Sequence, residues 1–103
     1  MKCWQSLSFT EPAHLIPLVR KAEEVGFDGV FMSDHVWHPS EIAPRYPYSP
    51  DGKPSFDENV PWLDPWVMIG AFAAVTQRLR FSTAAYILPP RHVLQGAKTG
   101  GTA

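Results

Sequence analysis

The chain has 103 residues, a formal net charge of −1 and 45% hydrophobic residues. This composition excludes a disordered segment and suits one small domain rather than two. The near-neutral charge gives no reason to expect nucleic acid as a partner. The single cysteine, Cys3, excludes an internal disulfide. The N-terminus carries no apolar stretch of signal-peptide type, and the longest apolar run, Trp66 to Val75, is about half of a membrane span. A soluble, cytoplasmic protein with no membrane partner is expected.

Residues 2–9 alternate partially and predict a first strand. Thr10 is suited to cap a helix with Glu11 and Pro12 in its first turn. Leu15, Leu18, Val19, Ala22 and Val25 then recur at helical spacing, which predicts a helix over 12–26 closed by Gly26. Pro17 conflicts with that helix, because it lacks a backbone donor. The run around 29–34 is short and apolar enough to be a strand buried on both faces. Seven prolines between Pro39 and Pro65 then break regular structure. A loop this long inside a compact domain is usually functional. Its aromatics, Trp37, Tyr46, Tyr48, Phe56 and Trp62, predict that it packs down on the domain. Asp64 and Pro65 are placed as N-cap and first residue of a second helix reaching about residue 78. A third strand over 80–87 ends at Pro89 and Pro90, and a third helix opens near Val93 to Lys98.

Strands alternating with helices predict right-handed βαβ crossovers and a parallel sheet. Ligands in such sheets lie at the carboxyl ends of the strands. Asp34 and His35 end the second strand, and Ala84 to Ile87 end the third. Read from the residues alone, His35 is either an active-site imidazole or a strand-end histidine bonded to a loop carbonyl. Asp34 is either its partner or a capping residue. His35 and His38 form an H-x-x-H pair beside Asp34, but a strand-to-loop turn does not fix both rings on one face and no fourth ligand is visible. No metal centre is expected. His14 is expected to face solvent.

The phrases "LVRKAEEVGFDGVFMSDH" (18–35) and "DPWVMIGAFAAVTQRLRFSTAAYILPPRH" (64–92), in that order, resemble the luciferase-like monooxygenases, (β/α)8-barrel oxidoreductases dependent on a flavin or a deazaflavin. The "SDH" after strand two and the insertion "RYPYSPDGKPSF" resemble the branch that uses coenzyme F420 more than the FMN branch. The resemblance implies an α/β chain forming about three βα units, the N-terminal portion of a TIM barrel. It implies hydride transfer between F420 and a small organic substrate, with FMN-dependent oxygenation as the alternative. His35 and Asp34 match the pair near the reactive ring, and His35, Ala84 and Ala85 match cofactor-binding positions. At Ala84–Ala85 the family often carries a non-prolyl cis peptide and a bulge. His92 matches a frequent histidine after the strand-three loop, its role left open, and Trp37 lies near, without matching in spacing, the place where some members carry a pocket tryptophan.

A barrel of this type needs eight such units, roughly 250 residues. The 103 residues are therefore read as an incomplete barrel domain, truncated in the third helix and inactive alone, with Trp4, Leu7, Phe31 and Phe81 on inward faces short of partners. The apolar second helix suits either a crowded interior or the homodimer contact that the resemblance implies for the complete protein. The other functional class open to the chain is a non-enzymatic α/β fragment.

Overall fold

The computed structural model describes residues 1–38, 45–54, 56 and 59–102. Strand β1 (Trp4–Ser6) leads to helix α1 (Pro12–Glu24), then β2 (Gly29–Met32), α2 (Pro65–Ala73), β3 (Arg80–Thr83) and α3 (Val93–Gly100). The strands form one sheet in the order β1-β2-β3, and both pairings are parallel. This is the α/β arrangement expected of consecutive βα units of a barrel. Positions 39–44 and 55, 57 and 58 of the predicted loop, and Ala103, lie outside the described residues.

The register places Gly29 between Trp4 and Arg80, and Val30 between Gln5 and Phe81. Side chains alternate along a strand, so Leu7, Val30, Met32 and Phe81 share the face covered by the helices. There Leu15, Val19 and Ala22 of α1 and Phe72 of α2 complete the core, with Leu79. Trp4 and Phe31 occupy the opposite face. The expectation that Leu7 and Phe81 point inward with Trp4 and Phe31 is therefore corrected: Leu7 stands three positions after Trp4, an odd step that turns the side chain over. On that face the Trp4 ring lies against Gly29, and a Cβ added there would come within 2.6 Å of the indole and 2.7 Å of Arg80 O.

Helix α1 begins with Glu11 in the N-cap position and no side-chain cap, so Thr10 does not cap it. The Thr10 N–H is instead drawn into a tight turn by Leu7 O. Pro17 sits inside α1 without ending it. Gly26, at φ +90°, closes the helix: its N–H donates to Glu23 O and the Phe27 N–H to Ala22 O, the paired bonds of a Schellman ending.

Helix α2 starts as expected, with Asp64 accepting from the Trp66 and Val67 N–H groups. It stops five residues before the expected 78, at Ala73. Beyond it the N–H groups of Gln77, Arg78 and Leu79 donate to the Glu23 carboxylate at 2.6–3.1 Å. A carboxylate from α1 thus satisfies a turn that a longer helix would have satisfied internally. All three strands are also shorter than the expected 2–9, 29–34 and 80–87, because ladder pairing covers only Trp4–Ser6, Gly29–Met32 and Arg80–Thr83.

Candidate functional site

At the carboxyl edge, Ala84 N–H still donates to Met32 O at 2.8 Å. The next peptide, Ala84–Ala85, is cis, as the family pattern implies. Both alanines are exposed. The chain then runs through Tyr86 and Ile87 past the end of β2. His35 of β2's exit, with Val36 and Trp37, faces Ile87 across a cleft of about 230 Å³.

His35 is placed from two sides. Its Nδ1–H donates to Trp37 O at 3.3 Å, because a carbonyl can only accept. A neutral ring held this way keeps its lone pair at Nε2. The imidazole also packs on loop aromatics, 4.3 Å from the Trp62 ring and 5.3 Å from Phe56. Phe9 closes this cluster, 5.4 Å from Trp62 and 6.0 Å from Phe56. Phe9 adopts φ +62°, a left-handed conformation that costs a non-glycine residue about 1–2 kcal/mol. The turn after β1 thereby projects the ring over the edge. The expected packing of the loop holds for Phe56 and Trp62, whereas Trp37 and Tyr48 are exposed. Tyr48 meets Tyr46 edge-on at 5.5 Å, and Trp37 lines the cleft beside Val36.

Asp34 is 3% exposed, and its side chain is fully buried. Arg91 donates to it through both ends of its fork, Nη1 to Oδ2 at 2.6 Å and Nη2 to Oδ1 at 2.9 Å. The Ile87 N–H donates to Oδ2 at 2.9 Å. Arg91 Nη1 also donates to Ile87 O at 2.7 Å, and Nη2 lies 3.5 Å from Asp64 Oδ2. The guanidinium stands 4.4 Å over the Tyr86 ring. The hydrogen bond to Asp34 is the largest influence that raises the Arg91 pKa above its ordinary value. Asp34 and His35 are thus neighbours in sequence with different surroundings: the carboxylate is enclosed by donors and the imidazole faces a cleft.

Arg91 is the residue that sequence reasoning passed over. It stands in "PPRH", directly before His92. His92 holds the N-cap position of α3 without a side-chain cap and is exposed. An arginine eight residues after the end of β3 has no pattern of its own, and only a buried carboxylate brought to it by the fold gives it meaning. His38 packs edge-on to Phe56, and His14 is exposed. Among the described residues no group of three His, Cys, Asp or Glu side chains is arranged to hold a metal ion. Nor does a helix among them have the length and apolarity to cross a membrane.

A family model described as luciferase-like monooxygenase matches residues 4–103. The uncharacterized protein Rv0940c of Mycobacterium tuberculosis (strain ATCC 25618 / H37Rv) is 35% identical over 95 residues, covering 92% of this chain and 33% of its own. The uncharacterized protein Mb0965c of Mycobacterium bovis matches to the same extent. A second M. tuberculosis protein, the uncharacterized Rv0953c, is 35% identical over 86 residues, 82% of this chain and 30% of its own. The chain spans about a third of the length of these relatives. No solved structure matches it. With a family match over nearly its whole length, the chain belongs to the luciferase-like monooxygenase family.

Proposed function

We propose that this chain supplies the ring-facing edge of an oxidoreductase that uses coenzyme F420 to transfer hydride to or from a small organic substrate. The observation that carries the reading is the cleft between His35 and Ile87, at the carboxyl ends of β2 and β3. Its walls are the flat or branched apolar side chains of Val36, Trp37 and Ile87 with one imidazole among them. That lining suits a planar, largely apolar ring system with a polar edge. Two buried nitrogens of the neighbouring aromatic cluster, His38 Nε2 and Trp62 Nε1, have no partner among the described residues. This unmet hydrogen-bonding capacity supports a ligand at this edge.

In this reading Ala84, Ala85 and His35 hold the ring, the small alanine side chains allowing close approach of the backbone. A bound deazaflavin supplies the two-electron hydride chemistry that no side chain can. His35, with its lone pair at Nε2, accepts or returns the proton at a substrate oxygen. Asp34 is assigned to holding the edge, since its oxygens already accept from Arg91 and Ile87. The exposed side of α2 around Val67, itself 70% exposed, is assigned to the contact of a homodimer in the complete protein.

The test is titration of the full-length protein with F420 and with FMN, followed by fluorescence, then assay with reduced F420. Saturable binding of F420 in preference to FMN supports the reading. Preference for FMN with oxygen consumption replaces it with a flavin monooxygenase, and binding of neither ring rejects both.

A further inference from the structure

Ile87 is held at both of its backbone polar groups by one buried ion pair. Its N–H donates to Asp34 Oδ2 and its carbonyl accepts from Arg91 Nη1, while Arg91 grips Asp34 through two bonds. Ile87 forms one wall of the cleft, and His35, the residue after Asp34, stands opposite. From this closed set of bonds we infer that Arg91 is a positioning residue: it fixes the separation of His35 from the Ile87 wall and thereby the aim of the imidazole.

The chemistry suits arginine alone. The planar guanidinium offers parallel donors to both carboxylate oxygens and still reaches a carbonyl. The guanidinium itself is further constrained by the Tyr86 ring at 4.4 Å and by Asp64 at 3.5 Å. Asp64 caps α2, so one side chain ties the exits of β2 and β3 to the starts of α2 and α3. Lysine keeps the charge but has no fork, and it satisfies at most one edge of this arrangement.

That a ring occupies the cleft rests on the reading above; the positioning role is tested without any ligand. The experiment is NMR on the full-length protein and its Arg91→Lys and Arg91→Met forms at one fixed pH. It reads the ring-nitrogen shifts of His35 and the hydrogen exchange of the Ile87 amide. The expected result in Arg91→Lys is exchange at Ile87 about tenfold faster, the loss of roughly one hydrogen bond, with the His35 ring shifts moving toward a mixture of tautomers. His14, exposed on α1, is the internal control and stays unchanged. A general loosening of the fold would instead speed exchange in β2 and α1 equally. If Arg91→Met fails to fold, Arg91→Lys carries the test. Unchanged His35 shifts and unchanged Ile87 exchange in a folded Arg91 variant overturn the inference, as does uniform loosening throughout the chain. Failure of the unmodified full-length protein to bind F420 or FMN counts against the function of the cleft and leaves this result standing.

Discussion

The indole of Trp62 lies against the imidazole of His35, with ring centroids 4.3 Å apart. Trp62 ends the proline-rich loop two residues before Asp64, whose carboxylate anchors the first turn of α2. The start of a helix thus fixes one side of the imidazole. Aromatic pairs of this kind contribute about 0.5–1.5 kcal/mol beyond their burial. A double-mutant cycle with Trp62→Ala and His35→Ala, read by denaturant unfolding, is expected to give a coupling of about 1 kcal/mol. Strict additivity would show that the rings are neighbours without interacting.

His35→Ala in the full-length protein is expected to lower turnover by roughly 100- to 10,000-fold, the usual contribution of a general acid or base. Cofactor affinity should change far less. Weakened cofactor binding with an unchanged rate would reduce His35 to a positioning role.

Asp34→Ala leaves the Arg91 guanidinium, only 17% exposed in its side chain, without its main partner. Removing one member of such a pair costs about 3–5 kcal/mol when burial is complete, and the residual access of Arg91 points to the lower figure. A urea melt of the variant should show that loss in its midpoint. A midpoint within experimental error of the unmodified chain would show that water replaces the carboxylate at little cost.

Glu23 accepts backbone N–H bonds from Arg78, Gln77 and Leu79, and the bond from Arg78 is the largest influence lowering its pKa. A carboxyl whose pKa is lower in the folded state stabilises the fold above its unfolded value. That stabilisation is lost as pH falls through the folded value. Glu23→Gln should therefore be less stable than the unmodified chain at neutral pH, and the difference should shrink as the pH falls below the ordinary carboxylate range. Thermal melts of both proteins across that range test it; a difference that does not narrow on acidification contradicts the assignment.

Gly29→Ala should destabilise the sheet by about 1–3 kcal/mol. The added Cβ meets the Trp4 ring and Arg80 O, both under 3 Å. Trp4→Ala in the same chain should recover only the part due to the indole, because the carbonyl of β3 stays in place. Full recovery, seen in denaturant midpoints, would mean that the strand backbones can separate without cost.

The 103 residues by themselves are expected not to bind a deazaflavin tightly. Three parallel strands cannot close a barrel, and the inner face leaves Trp4 36% exposed. Saturable micromolar binding by this chain alone would contradict that expectation.

Local signals carried much of the architecture. Asp64 followed by Pro65 marks a helix start because a carboxylate meets free N–H groups just where proline has none to offer. Gly26 marks a helix end because a left-handed residue is needed there. The alternation of these helices with short apolar strands led to the parallel sheet, and the sheet led to the edge where His35 lies. The family phrases added the cis peptide at Ala84–Ala85, which no propensity would indicate.

Other features depend on residues brought together from far along the chain. The end of α2 moved from 78 to 73 because Glu23, more than fifty residues earlier, satisfies the backbone of the following turn. The side-chain faces of Leu7 and Phe81 followed from strand register, which is a property of pairs of strands. Sequence by itself determined that Asp34 and His35 stand at the edge of a parallel sheet, since periodicity and capping act within a few residues. Only the tertiary structure decided that they differ in kind. Arg91 arrives fifty-seven positions later to bury the carboxylate of Asp34, and a charge so buried is stable only with such a partner, while His35 stays beside the open cleft.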